Sequence, residues 1–326
     1  MRYGSLSPPK SSMLDVREQV PLAPLTTFGI GGPARYFVDV TSEKEIMQAL
    51  HWATRKNVRA VLLAGGSNVL VPDEGLEALV IRIAQSAYDI SGATLIADAG
   101  CNLCELIGKT AAAGLGGWER LAGIPGTIGG AVRGNAGAFG TEMRDIVVWV
   151  RAVDMESGEV REYTNEECHF SYRMSYFKRN PALFVTKVCV ALEEVPPVEA
   201  QRIIEETVAE RERRHIQDVR AAGSYFMNPV APKAIQSRFE KEKGVAARGG
   251  RVPAGWLIEK AGLKGARVGG AQASEQHPNY LVNTGTATAA DVRALAERIR
   301  EAVQDAFGVE LQEEAVVLGR DGRTVR

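Results

Sequence analysis

One stretch constrains the fold of this chain more than any other: AGIPGTIGGAVRGNAGAFG, residues 122–140. Seven of its nineteen residues are glycine, at Gly123, Gly126, Gly129, Gly130, Gly134, Gly137 and Gly140. Glycine loses more backbone freedom on ordering than any other residue. A chain that orders so many together needs its backbone close to something. N–H groups unobstructed by side chains form concavities that suit phosphate oxygens. A flexible linker is the simpler alternative. Linkers of that kind are polar, whereas this stretch carries Ile124, Pro125, Ile128, Ala131, Val132 and Phe139.

A second glycine turn lies upstream. Val61, Leu62, Leu63 and Ala64 read as a strand, Gly65-Gly66-Ser67-Asn68 as a turn, and Val69-Leu70-Val71 resumes the apolar run. A Rossmann site needs GxGxxG opening a helix. Strand, phosphate-sized turn and strand again is a different pattern. The two glycine segments together suit a dinucleotide held by another fold.

These residues carry a family resemblance. LAGGSNVLV and AGIPGTIGGAVRGNAGAFG resemble the flavin-binding core of the UDP-N-acetylenolpyruvoylglucosamine reductases, the MurB family. SYRMSYFK (171–178), AGSYFMNP (222–229) and PAGWLIEKAGLKG (253–265) agree and stand in family order. The resemblance covers residues 25–319. It implies an α+β protein with a PCMH-type FAD-binding fold of two subdomains and a C-terminal α/β substrate-binding subdomain. The expected division is a disordered leader at 1–20, FAD-binding subdomains at 21–84 and 85–197, and a substrate-binding subdomain with a C-terminal strand at 198–326.

The length of 326 residues suits two or three domains. A net charge of −1 gives no electrostatic case for nucleic acid or an anionic membrane. No apolar run reaches the roughly 18 residues of a membrane span. Residues 1–18 are polar, rich in Ser and Pro, and lack the apolar region of a signal peptide. Four cysteines in such a chain make no disulfide framework. Cys101 and Cys104 form a CxxC, but Asn102 and Glu105 read as a helix cap with its reciprocal partner. That places both thiols at a helix start, and no second CxxC completes a zinc site. No metal is expected.

Along the chain, residues 25–32 (LTTFGIGG) form a loop before a strand at 35–38. Ser42 and Glu45 form a capping box that opens a helix reaching residue 56. Strands are expected at 58–64, 78–83 and 94–99, and a helix at 102–113 stopped by Gly114. The long glycine loop follows. Strands at 146–154 and 159–163 are joined by Ser157-Gly158, a hairpin signal, and 184–192 is also strand. Pro196-Pro197 marks a boundary. An amphipathic helix at 198–214 carries Ile203, Ile204 and Val208 on one side. Its charged residues Glu205, Glu206, Glu210 and Arg211 read as a solvated face. PAGWLIEKAG is a helix and 268–274 a polar strand region. The helix at 288–306 repeats Val292, Leu295, Ala296, Ile299 and Val303 at helical spacing, and a last strand is expected at 309–318.

Reducing an enolpyruvyl double bond needs a hydride at one carbon and a proton at its neighbour. It also needs a cation or hydrogen-bond donor to hold the carboxylate as electron density moves onto it. Flavin supplies the hydride, and the protein supplies position and electrostatics. The resemblance implies three catalytic residues. Arg173 is the family's active-site arginine, suited to bidentate binding of a carboxylate or enolate. Ser224 is its proton donor, and Glu314 its second acid. The family pattern at the last site is Leu-Glu-Pro-Glu, and this chain has Leu311-Gln312-Glu313-Glu314. The missing proline leaves Glu313 as the alternative, and the spacing to Gly319 favours Glu314. As simpler readings, Arg173 is a surface arginine at a strand end, Ser224 a turn serine after Gly223, and Glu314 a solvent-facing strand residue.

For the flavin, Gly65, Gly66, Ser67 and Asn68 are expected to take the pyrophosphate, with Gly123, Ile124, Pro125, Gly126, Thr127, Gly129 and Gly130. Asn135, Ala136 and Gly137 complete the cradle. The resemblance implies FAD bound without a covalent link, with NADPH as the reductant, and neither glycine stretch contains a histidine. Tyr172, Asn228 and Gln272 are further candidates for contact with the UDP-sugar substrate.

Two positions depart from the family. Met227 stands where lysine is usual, and Arg133 where an apolar or aromatic residue is common. Arg173 and Ser224 lie close in sequence for members with a tyrosine-bearing lid, which implies the subclass lacking it. The expected activity is UDP-N-acetylmuramate dehydrogenase in peptidoglycan precursor synthesis, in a cytoplasmic monomer. A flavin oxidase of another substrate on the same scaffold is one alternative. A non-catalytic flavin- or nucleotide-sugar-binding protein is the other.

Overall fold

The computed structural model describes residues 14–213 and 219–325. Its first sheet runs Arg17–Pro21, Pro33–Val40, Leu76–Ile83, Arg59–Leu63 in spatial order. The first pair is antiparallel and the other two pairs are parallel. Parallel neighbours need a crossover, and the helix Glu43–Lys56 supplies it. Ser42 caps this helix by accepting the N–H of Glu45, a contact worth about 1 kcal/mol. The Glu45 carboxylate turns to the N–H and hydroxyl of Thr41. Asn57 ends the helix in the left-handed region. Its inner face, Ile46, Ala49, Leu50 and Ala53, packs on Val38, Val40, Leu79 and Ile81, and also on Val153 and Phe184 of the next sheet. Thr186 of that sheet donates to Glu43 at 2.6 Å. One helix thus fastens two sheets.

The expected leader overlaps this sheet. Residues 1–13 lie outside the described residues, but Arg17–Pro21 is paired, with Glu18 opposite Tyr36 and Val20 opposite Ala34. Arg17 bonds Asp39 at 2.6 Å and lies 4.8 Å from the Phe37 ring. The leader therefore cannot extend to residue 20.

The second sheet is antiparallel throughout: Val160–Thr164, Val147–Asp154, Leu183–Ala191, Thr94–Asp98, Tyr88–Ser91. Its core takes in the helix Leu103–Ala112, Trp118 and the glycine segment's Ile128 and Val132. The helix Pro197–Arg213 also packs here, through Ile204 and Val208. The boundary expected at 197 therefore does not separate this helix from the second unit, because its apolar side is covered by that unit's core. Arg211, expected on its solvated face, is buried. Cys101 and Cys104 donate to the carbonyls of Ala87 and Ile124. Burial pushes both thiols up, the opposite of a reactive thiolate.

The third core gathers the helices Lys233–Lys243, Ala254–Lys260 and Ala289–Phe307 around the small sheet Arg267–Val268, Ala271–Ala273, Leu281–Asn283. Thr288 and Asp291 form a full capping box on the last helix. The final strand is shorter than expected. Only Val316–Val317 is strand, parallel to Val69–Leu70. The residues before it pair elsewhere: Met227 N–H donates to Gln312 O at 2.9 Å and Glu314 N–H to Tyr225 O at 2.7 Å. The segment leans first on AGSYFMNP and then on the first glycine turn, so neither ladder grows long.

Candidate active site

The glycine stretch is not one loop. Thr127 caps a short helix, Ile128–Gly134, by accepting the N–H of Gly130 at 3.2 Å. Asn135 ends it with φ +43. The two glycine segments touch. A Cβ on Gly65 would lie 2.7 Å from the Gly126 Cα, and Ser67 Oγ donates to Pro125 O at 3.0 Å. Side chains at that junction would force the turns apart. Gly129 is used against Ala99, which a Cβ would meet at 2.6 Å, whereas the bare side of Gly130 lines the cavity.

Of the expected cradle, Gly65, Gly66, Ser67, Asn68, Ile124, Pro125, Thr127, Gly129, Gly130, Ala136 and Gly137 line one cavity. Gly123, Gly126 and Asn135 do not. Gly126 serves the junction just described. Asn135 is fully buried: its Nδ2 donates to Glu142 and to Ser171 O, and its Oδ1 accepts from Arg144 N–H. It joins the helix end to the Tyr172-Arg173 turn rather than facing a ligand. Asn68 lies at the cavity wall, where its Nδ2 donates to Glu314 O at 3.2 Å.

Arg173 occupies a tight turn in which Ser171 and Met174 exchange both backbone hydrogen bonds at 3.0 Å. Its φ of +54 is rare for a residue with a side chain. Lys178 Nζ donates to its carbonyl at 3.0 Å. The guanidinium donates through Nη2 to Gly137 O at 2.7 Å and pairs through Nε with Glu314 Oε1 at 2.9 Å. Nη1 has no partner among the described residues. The Tyr172 ring lies 5.3 Å from Arg173 and 4.3 Å from Arg251.

The two glutamates face different ways. Glu314 meets Arg173 in the cavity. Glu313 points the other way, 3.0 Å from Arg300 Nη2 and accepting from Tyr225 OH at 3.4 Å. Burial pushes Glu314 up, opposed first by Arg173 and then by Lys178. Burial also pushes Lys178 down. A carboxyl raised this way holds its proton to higher pH than an exposed one.

Ser224 and Asn228 line the same cavity. Gly223 before Ser224 is left-handed, with φ +70. Asn279 fixes the two residues after it, accepting from Phe226 N–H, donating to Phe226 O and taking Tyr225 N–H on its carbonyl. Asn228 is tied on three sides, by Tyr172 OH, Arg251 and Ala254 N–H. Gln272 is not at the site. It sits in the small third sheet, bonded to Arg267 at 3.0 Å. Sequence reading missed Lys178 and Arg251. Lys178 ends the SYRMSYFK motif, five residues after Arg173, and Arg251 stands two before the PAGWLIEKAG helix.

The cavity measures about 2170 Å³, beyond the ~300–1,000 Å³ of a site for one drug-sized ligand. A bare-backbone cradle with a paired arginine and glutamate beside it suits an FAD and a second ligand together. The residues fit that cofactor: Gly65, Gly66, Gly129 and Gly130 bring bare backbone to the cavity wall, and the Gly65–Gly126 contact holds the two turns together.

Such a cradle on these two sheets defines an FAD-binding protein, and the FAD binding domain family model matches residues 34–164. The model for the C-terminal domain of UDP-N-acetylenolpyruvoylglucosamine reductase matches residues 214–318. The reductase of that name from Heliobacterium modesticaldum is 38% identical over 310 residues, covering 94% of this chain and 92% of the relative. The one from Streptomyces coelicolor is 34% identical, covering 98% and 94%. The crystal structure of the reductase from Thermus caldophilus superposes with a TM-score of 0.75 at 36% identity, over 94% of this chain and 99% of that one. The chain belongs to the UDP-N-acetylenolpyruvoylglucosamine reductase family.

Proposed function

We propose that this chain uses NADPH, through bound FAD, to reduce UDP-N-acetylglucosamine enolpyruvate to UDP-N-acetylmuramate, with Arg173, Ser224 and Glu314 as the reacting side chains. The observation that carries this assignment is the Arg173–Glu314 pair, 2.9 Å apart on a cavity that Ser224 also lines. Flavin supplies the hydride to one carbon of the enolpyruvyl double bond. Arg173 receives the substrate carboxylate on Nη1 and opposes the charge that develops as that hydride adds. Ser224 Oγ gives its proton to the neighbouring carbon. A serine oxygen left negative needs nearby positive charge, and Arg173 and Lys178 supply it. Glu314 assists by holding or lending a proton at the enol oxygen, which its raised pKa favours.

Arg251 and Arg248 line the same cavity and offer cations to the diphosphate of the sugar nucleotide. The expected division is proposed with two changes: residues 17–84 and 85–213 for FAD, and 214–326 for substrate. The protein is proposed to act as a cytoplasmic monomer without nucleic acid. Among the described residues no helix is long and apolar enough to cross a membrane.

The test is NADPH consumption by the purified protein with and without the enolpyruvyl sugar nucleotide. Consumption that depends on that substrate is expected. Oxygen-driven consumption indifferent to it would instead indicate a flavin oxidase.

A further inference from the structure

Arg133 is a charged side chain on the cavity that the reaction above does not use. Arg133 lies in the helix Ile128–Gly134 and lines the cavity. Among the described residues its guanidinium forms no ion pair and no hydrogen bond, and loss of solvent alone lowers its pKa. Taking an arginine out of water without a counter-charge is costly. The Arg133 charge helps to lower the pKa of Lys178, which is itself a cation. The structure therefore stores an uncompensated cation on a ligand-facing wall.

The placement of that wall identifies what the cation meets. Thr127 caps the helix beside the glycine cradle. Arg133 lies six residues further, about 9 Å along the axis at 1.5 Å per residue. Its carbonyl accepts the Ser175 hydroxyl at 2.7 Å, two residues beyond Arg173. The helix thus runs from the cradle toward the reacting side chains. A flavin dinucleotide held by its diphosphate at the cradle, with its ring toward a substrate on Arg173, would lie along this helix.

We infer that Arg133 faces the ring end of the bound flavin and raises its reduction potential. A hydride carries two electrons and one proton, so its arrival from NADPH leaves the ring with one more negative charge. A cation beside the ring stabilises that charge, and the same charge leaves with the hydride when it passes to the enolpyruvyl carbon. Arg133 is then a tuning residue for hydride acceptance. The inference rests on the FAD reading above.

The test is the midpoint potential of the holoenzyme, measured by equilibration with a reference dye, for wild type, Arg133→Gln and Arg133→Lys. Releasable FAD is checked first. Arg133→Gln is expected to shift the equilibrium tenfold toward oxidised flavin, about 30 mV lower for a two-electron couple. Arg133→Lys should stay near wild type. An unchanged potential in Arg133→Gln overturns the inference while leaving the FAD reading intact. So does a raised KM for the sugar nucleotide at constant potential, which would assign Arg133 to the substrate. If the glutamine variant cannot retain FAD and the lysine variant can, the charge serves the diphosphate and the ring placement is wrong. Wild-type protein without releasable FAD fails the functional reading itself.

Discussion

Arg173 Nε lies 2.9 Å from Glu314 Oε1, and separate parts of the fold bring them together. Arg173 comes from a strained turn anchored by Asn135 and Lys178 on the FAD-binding side. Glu314 comes from the returning C-terminal segment, held by Tyr225 on one flank and by Asn68 of the first glycine turn on the other. The pair exists only when the flavin cradle, the AGSYFMNP segment and the C-terminus are all in place. A substrate carboxylate entering there meets an arginine already oriented, which lowers the cost of ordering it.

The two glutamates should separate by function. Glu314→Gln is expected to leave flavin reduction by NADPH intact and slow reoxidation by the sugar nucleotide on the order of 10²–10⁴-fold. Glu313→Gln should leave both half-reactions near wild type. It weakens the contact with Arg300, so its cost should appear in thermal unfolding, about 1 kcal/mol. Equal kinetic defects in the two variants would contradict the register.

Lys178 should trade stability for activity. Burial holds its folded pKa below the unfolded value. Such a group adds stability above its unfolded pKa and loses that contribution as pH falls through the folded pKa. At neutral pH the charged, buried lysine is therefore a net cost. Lys178→Met is expected to melt higher than wild type at neutral pH, with the gap closing as pH rises toward the lysine range. It should also turn over more slowly, because the Arg173 carbonyl loses its donor. A variant that melts lower at neutral pH would show that this hydrogen bond outweighs desolvation.

Gly65→Ala tests the cradle. Its methyl would meet the Gly126 Cα at 2.7 Å, an overpacking cost of roughly 1–3 kcal/mol. The purified variant should carry less FAD, read as visible absorbance per protein. Gly108→Ala is the control: it lies in the helix Leu103–Ala112 with open space around it. It should gain about 0.5–1 kcal/mol with flavin content unchanged. Equal flavin content in Gly65→Ala would place the cofactor elsewhere.

Met227→Lys should restore a cation next to Asn228. If the position serves only ground-state binding of phosphates, KM for the sugar nucleotide or NADPH falls and kcat stays nearly constant. A large change in kcat at constant KM would mean that the position acts in the transition state.

What the sequence made legible follows from what each signal depends on. The glycine segments, the caps at Ser42 and Asn102, and the helix 289–307 are local, and their chemistry reads directly. Arg173, Ser224 and Glu314 were legible because motif order carried them onto one cavity. The helix inside the glycine stretch was hidden because glycine obscures helical periodicity. The final strand was overestimated because its apolar residues pair with two short partners in succession. Gln272 was misplaced because it lies outside the quoted motifs, and nothing local tells on which side of the small sheet it bonds. Lys178 and Arg251 act through a backbone carbonyl and a stacked ring, contacts for which sequence has no pattern.

The account stands most directly on stopped-flow absorbance of the flavin in Ser224→Ala, with the two half-reactions followed separately. Reduction by NADPH needs no proton from Ser224 at the substrate carbon and is expected to match wild type. Reoxidation by UDP-N-acetylglucosamine enolpyruvate is expected to slow on the order of 10²–10⁴-fold. Equal slowing of both half-reactions would contradict the account and make Ser224 a turn residue whose loss disturbs the whole site.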